Sequence, residues 1–584
     1  MTATAPKAKR APLDASPARR PRASEVTKAR QVVDDSGVVA VLSARLDSTV
    51  GRPRSLSITG LLVALVLNAM QRHHRAHLIQ VAKTLNALTG QQLADLGVRD
   101  WDPQEAYQRV DRLFNKLAAA LDETWQATID GRETTIDAQW FANRMLRAGI
   151  DHDLPTSRTV AIDGTAIETN ARLHHGGDTL AFDGDAHTRT SAEMTGSAPT
   201  NGTAATDASS DRVAVLGTGP DGRNIYTRDP DARGGYRTAT NSRKGGLYVG
   251  YELHLAVATR ELTSTNHIDQ AVLGEEQPAF ITTAQLCPAG SHRGDALRQP
   301  LLDAVNESLP INEVLMDPGY SLCRPETFLL PLRQAGIEPV FRPASHQRRR
   351  QQISNDIVLL DGQPYSTHLP DGLGGNPNDA PLPMTPRGAN SETRERHEAA
   401  FNRRARYRYS RHTKPDGDGH ARYKCPYCAG RLWNRQQRRR NRNNSAVLAP
   451  FRHGAQACCA GTTTLDAATT ALDQRIPCGT TAWATSYSRL QVVENANSML
   501  KGSYVDADRT FLRVLGLTKK AILLGATLAG INLEVARRHR AKSTSPAAPS
   551  GRRSKRRVNT YADLLPEQAN TAAADSSGAD PPDP

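Results

Sequence analysis

Three carboxylates stand apart from the other acidic residues by the company they keep. Asp163 ends the apolar run Val160-Ala161-Ile162 and is followed by Gly164-Thr165. Asp317 ends a second run, Val314-Leu315-Met316, and is followed by Pro318-Gly319-Tyr320. Glu494 lies in Leu490-Gln491-Val492-Val493-Glu494-Asn495-Ala496-Asn497, a stretch with helical patterning. Carboxylates are hard oxygen ligands, and one or two per ion hold Mg²⁺ beside water and phosphate. Two such ions about 3.5–4 Å apart stabilise both the attacking and the leaving oxygen of an in-line displacement at a phosphodiester. One carboxylate must then bridge the ions, and Asp163 is expected in that role, with Glu168 of the same segment as scaffolding. Singly, a strand-end Asp is more often a turn residue, and a helical Glu more often a solvated one. The ordered set, strand-Asp, strand-Asp, helix-Glu, favours the chemical reading.

The rest of the chain sets the context. Its 584 residues exceed one ordinary domain; at about 150 residues per domain, two to four are expected. The formal net charge of +14 points to a polyanionic partner, nucleic acid first. The longest apolar helical stretches, Ile58 to Met70 and Ala521 to Ala536, fall short of the ~20 residues that span a bilayer, so no membrane partner is expected. The start lacks the pattern of a secretory signal. Seven cysteines, an odd number gathered largely in one region, do not form a disulfide framework. A cytoplasmic protein is expected.

Elements able to position the carboxylates can be read along the chain. Residues 1–54, with Lys-Ala-Lys-Arg at 7–10 and Arg-Arg-Pro-Arg at 19–22, read as a disordered basic arm. Residues 55–150 have helical spacing (Leu61, Leu62, Leu65, then Leu78, Val81, Leu85, then Val110, Leu113, Phe114, Leu117) and form an N-terminal all-helical DNA-binding domain in this reading. His73, His74 and His77 read as a polar helix face. From 151 to 341, strand patterns (158–162, 247–256, 280–283, 313–316) alternate with helical ones (294–309, 324–335), which predicts an α/β fold. Residues 176–244, rich in Gly, Asp, Thr and Ser, read as a flexible insertion within it. Residues 342–479 are strongly basic, with Arg-Arg-Arg at 348–350 and 438–440, and carry a Cys-Pro-Tyr-Cys. Helical patterning returns within 480–540, and 541–584 read as a disordered tail.

With these residues in place, a family resemblance can be stated. Val160-Ala161-Ile162-Asp163-Gly164-Thr165 resembles the first-Asp motif of bacterial insertion-sequence DDE transposases. Met316-Asp317-Pro318-Gly319-Tyr320 is similar to their second-Asp motif, and the strand ending Gly-Tyr-Glu-Leu-His-Leu to the core strand between. The stretch around Tyr487, Arg489, Glu494 and Lys501 resembles their third motif. The resemblance spans about residues 55 to 540, and these patches carry its specificity. It implies an RNase H-like core, a mixed sheet flanked by helices, in which Asp163, Asp317 and Glu494 are catalytic and hold two Mg²⁺ (or Mn²⁺) ions. Residues 342–479 would be an insertion domain between the second Asp and the Glu. Tyr487, Arg489 and Lys501 would contact DNA, Lys as a point charge on phosphate and Arg as a fork. The implied partners are double-stranded DNA, as terminal inverted repeats and target, and a second copy of the chain on paired ends. The implied activity is cleavage at element ends followed by strand transfer, on DNA of the bacterial nucleoid.

Two other readings use the same residues. A non-catalytic DNA-binding protein, or a decayed transposase copy, would have the basic arm, the helical domain and a possible zinc ribbon as its working parts. A metal-dependent nuclease on the same core would cleave without joining. Separately, Cys425 and Cys428 have metal-ligand spacing, and with Cys458 and Cys478 they could close a structural Zn²⁺ site. The alternative is that they are ordinary structural cysteines, as expected for Cys287 and Cys323.

Overall fold

The computed structural model describes residues 19–47, 54–176, 214–218, 223–237, 245–266, 270–291, 293–307, 309–386, 389–429 and 462–544. The expected tail from 545, the start of the arm with Lys7–Arg10, Arg438–Arg440, Cys458 and much of 176–244 lie outside them. Where described, the protein is mixed α/β, with helices and several sheets.

The principal sheet forms around β1, Thr159–Glu168. Val160 and Ile162 face one side and Ala161 the other, and all three are fully buried, so this strand reads as a continuous apolar run rather than an alternating one. β2, Gly246–Thr259, runs antiparallel to β1, and β3, Ile281–Pro288, antiparallel to β2. β4, Glu313–Met316, runs parallel to β1, and β5, Glu338–Phe341, parallel to β4. The spatial order is β3-β2-β1-β4-β5, with a sixth strand, Arg233–Arg237, paired to β2. Parallel neighbours need a crossover rather than a tight turn; helix Leu329–Gln334 lies in the one between β4 and β5.

Helices cover both faces. On one, Val160, Ile162, Val314 and Met316 pack against Leu297 and Leu301 of helix Arg293–Asn306 and against Phe328 and Leu329. On the other, Ala161, Leu255, Val257 and Leu315 join a large core. Into it pack α1 (Ala23–Ser36), α2 (Val38–Leu46), α3 (Ile58–Ala69), α4 (Leu78–Asn86), α5 (Ala106–Asp122), α6 (Ala138–Ala148), α7 (Gln491–Ser498) and α8 (Leu517–Thr544). Each fully buried Val, Leu or Ile contributes about 1.5–3 kcal/mol. The helices of 55–150 are therefore continuous with the sheet's core and not a separate globule. They also include a two-stranded hairpin, Trp125–Ile129 with Arg132–Ile136. The seam with α8 is close: a Cβ at Gly530 would lie 2.6 Å from the Ala69 carbonyl oxygen, and one at Gly525 2.7 Å from Ala142 Cα.

Several expectations are corrected. The arm is not disordered from Ala23 to Leu46: Val26, Ala29, Val33, Leu42 and Leu46 are buried stripes of α1 and α2, and that spacing was hidden by the basic, proline-rich composition around it. His73, His74 and His77 are not a polar helix face. They lie between α3 and α4, His74 and His77 are buried, and His77 Nε2 is 2.7 Å from the Thr510 carbonyl oxygen. Burial pushes the His74 imidazole down to about 4. Within 176–244 the described residues include strands Ala214–Thr218, Asn224–Thr227 and Arg233–Arg237. The basic stretch 342–479 turns many of its arginines inward. Arg348 and Arg404 pair with Asp361, Arg408 with Asp473, and Arg411 with Glu338, which Arg333 also meets at 2.8 Å. These four arginines of the stretch thus hold the fold. Among the described residues no helix is long and apolar enough to cross a membrane.

Candidate active site

The register of the parallel pair places the first two carboxylates. Ile162 of β1 is paired with Met316 of β4; Asp163 and Asp317 each come next, on strands about 4.8 Å apart. Alternation turns both toward the face shared by Ala161 and Leu315, the side on which α7 packs against β1 and β2. Asp163 Oδ1 accepts from the Gly164 backbone N–H at 2.8 Å. Asp317 Oδ1 accepts from the Gly319 N–H at 2.9 Å, which caps the single helical turn Pro318–Ser321. Proline at its first position suits that turn because the missing N–H has no helical partner to lose. Asp163 thus lies within β1, which runs on to Glu168, and not at the strand end expected for it; only Asp317 is held by a turn that ends its strand.

α7 brings the third motif alongside. Val493 and Ala496 are its buried side. Asn497 Nδ2 donates to Asp163 Oδ2 at 3.3 Å. Glu494 lies one turn earlier, on the same side by i,i+3 spacing. It is exposed, and its Oε2 accepts from Gln491 Nε2 at 2.6 Å. Tyr487 stacks on Trp483, ring centroids 4.6 Å apart, and its hydroxyl donates to the Met316 carbonyl at 3.4 Å, immediately before Asp317. Lys501 is exposed in a π-helical turn, Met499–Ser503, a feature that often marks functional positions. Glu168 pairs with Arg237 at 2.5 Å.

Arg489 corrects the expectation of a DNA contact. Its side chain is only 1% exposed and pairs with Glu313, the first residue of β4. It also donates to the Ser486 carbonyl and the Arg260 carbonyl, each at 2.9 Å. Burial draws its pKa down while Glu313 pulls it back up. The guanidinium tethers the chain entering α7 to the strand that carries Asp317, so it positions the site from within.

Asn497 is the site residue that the sequence reading passed over. Its signal was modest: a polar residue one turn after Glu494. Its Oδ1 is buried, and among the described residues no donor reaches it. The side chains of Asp163, Asp317 and Glu494 and this orphaned amide oxygen are all oxygen donors, the type that a hard divalent cation takes. Among the described residues no three His, Cys, Asp or Glu side chains already converge as a metal group.

Among the described residues, Cys425 and Cys428 do not pack in the same cluster as Cys478. Cys425 is buried and Cys428 half-buried in the turn after strand Ala421–Lys424, packed with Tyr409, Tyr423 and Leu465. Cys478 sits elsewhere, in the large core; burial and the neighbouring Asp361 push its thiol well above the usual range, which opposes the thiolate that zinc needs. Cys458 lies outside the described residues. Cys287 is buried, its thiol raised to about 12, as expected of a structural cysteine.

Compared with protein-family models, curated proteins and solved structures, the chain matches none of them.

Proposed function

We propose that this chain is a DDE transposase, which cleaves DNA at the ends of a mobile element and joins those ends to target DNA. The observation that carries the reading is the pairing of Ile162 with Met316, which leaves Asp163 and Asp317 side by side with the Glu494 helix packed over β1. The sheet supports the finer reading of an RNase H-like core. Asp163 is on β1, Asp317 follows β4, Glu494 is on a helix beyond the sheet, and residues 342–479 stand between the last two.

Bound at these oxygens, Mg²⁺ or Mn²⁺ would polarise the scissile phosphate and supply a nucleophilic oxygen at neutral pH. The chain's own residues do the rest. Asp163, Asp317 and Glu494 would hold the cations, with Asn497 and the Gly164 and Gly319 amides fixing the two aspartates. Tyr487 braces the end of β4. Lys501, exposed beyond Glu494, meets DNA phosphate. The substrates are double-stranded terminal repeats and target DNA, reached in the bacterial cytoplasm by a pair of chains holding two ends.

The test uses the full chain, labelled DNA bearing the element's inverted repeats, and Mg²⁺. Cleavage at the repeat ends followed by joining to a second duplex is expected. Wild-type protein that binds such DNA but neither cleaves nor joins it in Mg²⁺ or Mn²⁺ overturns the reading. Cleavage without joining replaces it with a nuclease.

A further inference from the structure

Behind the two aspartates, on the opposite face of the sheet, lies a polar contact that the mechanism above does not use. His254 of β2 is opposite Gly164 of β1 in the antiparallel register, one step from the Asp163–Leu255 pair. Alternation therefore turns His254 to the face away from Asp163. Its side chain is fully buried, and its Nδ1 is 2.8 Å from the hydroxyl of Tyr320, itself fully buried. One of the two donates to the other according to the ring's tautomer. The rings meet edge to face, centroids 6.0 Å apart at 78°. Tyr320 belongs to the helical turn that Asp317 caps.

The two partners come from strands that are not neighbours. β2 carries His254, β4 leads into Tyr320, and β1 runs between them. The bond must cross β1, and it crosses at Gly164. A Cβ on Gly164 would lie 3.0 Å from His254 Nδ1, 3.1 Å from His254 Cε1 and 2.8 Å from Glu252 Oε1. The two ring distances are tighter than nearly all real Cβ contacts, and the buried ring has little room to retreat. The glycine after Asp163 lies within β1 and not in a turn, and close approach across the sheet explains it.

We propose that His254 and Tyr320 are positioning residues that form a strap beneath the sheet, tying the Asp317 turn to β2 across Gly164 and so holding Asp317 in register with Asp163. The role in catalysis rests on the transposase reading; the strap itself does not. Residues spaced across three strands are thereby joined: the Asp-Gly of the first motif, the His of Gly-Tyr-Glu-Leu-His, and the Tyr of Asp-Pro-Gly-Tyr.

The test compares full-length wild type with Tyr320→Phe, His254→Phe and the double variant. The first keeps the ring and loses only the hydroxyl. Two readouts are taken: hydrogen exchange of backbone amides at 319–323, and Mn²⁺ binding by electron paramagnetic resonance. With circular dichroism unchanged, each single variant is expected to exchange faster in that turn and to bind Mn²⁺ about 10-fold more weakly. The double variant should be no worse than the poorer single one, since both remove one bond. Unchanged exchange and Mn²⁺ affinity in Tyr320→Phe overturn the strap, whatever the protein does to DNA. Should His254→Phe fail to fold, Tyr320→Phe alone decides it. Faster exchange and weaker Mn²⁺ binding in a protein whose wild type leaves DNA intact sustain the strap and overturn only the transposase reading.

Discussion

Asn497 donates to Asp163 Oδ2 across 3.3 Å, so the helix that carries Glu494 also orients the carboxylate expected to bridge two cations. A partner in that place holds a ligand's orientation, and its loss typically costs about 10- to 100-fold in metal affinity or activity. Asn497→Ala is expected to raise the Mg²⁺ concentration needed for half-maximal cleavage by about that factor. Asn497→Leu, which also fills the space, should do no better. A Mg²⁺ titration of cleavage at fixed DNA is the measurement; an unshifted curve would remove Asn497 from the site.

The three carboxylates make a different prediction. Asp163→Asn, Asp317→Asn and Glu494→Gln each keep shape and lose charge. Each should lower cleavage and joining by on the order of 10²–10³-fold while leaving repeat-DNA affinity intact. Because the three act as a unit, the triple variant should be little worse than the poorest single one. Chelation of divalent cations should stop cleavage by the wild type. If Glu494→Gln alone stays active, the third ligand lies elsewhere on α7.

Arg489 predicts a stability effect where a DNA contact would predict an affinity effect. Removing it leaves Glu313 buried beside Arg475, at 3.3 Å, and the Thr159 hydroxyl, at 3.4 Å. Breaking a buried pair from one side costs about 3–5 kcal/mol, and the second arginine places this case near the lower figure. Arg489→Met should therefore lower the denaturant midpoint markedly. A variant as stable as wild type but defective in DNA binding would restore Arg489 to the interface.

How much of this was legible beforehand follows from what periodicity encodes. The apolar runs before Asp163 and Asp317 mark real strands, and β4 has the limits its pattern gives, Glu313–Met316, but β1 continues through Asp163 to Glu168 where the pattern predicts a turn. The α/β character followed from their alternation with helices. Burial of a charged residue leaves no such trace. Arg489 inside, and Lys501 outside, are the same kind of residue on paper; only the position of Glu313 on β4 separates them. The arginines of 342–479 misled for the same reason, since their acidic partners, Asp361 and Asp473, are remote in sequence. Gly164 and Tyr320 were visible as motif letters, but the reason for them is a bond between β2 and the turn after β4, which no local window contains.

Lys501 carries the opposite expectation to Arg489. It is exposed in the turn after α7. Lys501→Ala should leave stability within about 0.5 kcal/mol of wild type. Its DNA affinity should fall about equally for specific and unrelated duplexes, with the salt dependence of binding reduced by about one counterion. Affinity measured over a range of salt is the check; an unchanged slope would place Lys501 off the phosphate path.

His74 makes the pH dependence of folding testable apart from any activity. Its imidazole is buried against Phe511, ring centroids 5.6 Å apart, and burial lowers it from an ordinary 6.5 to about 4. Between those values the unfolded chain binds a proton that the native state refuses. Stability must therefore rise with pH across that window, by roughly 1.4 kcal/mol per unit for one such group, and be unaffected by it above 6.5. His77 is lowered in the same direction by burial, so the measured slope carries both. His74→Phe removes one of the two protons and keeps an aromatic ring beside Phe511. Urea unfolding at pH 4.5 to 7.5 should then show a shallower acid limb for His74→Phe than for wild type. The two curves should run parallel above pH 6.5, and parallel curves throughout would mean that His74 takes up its proton in the native state.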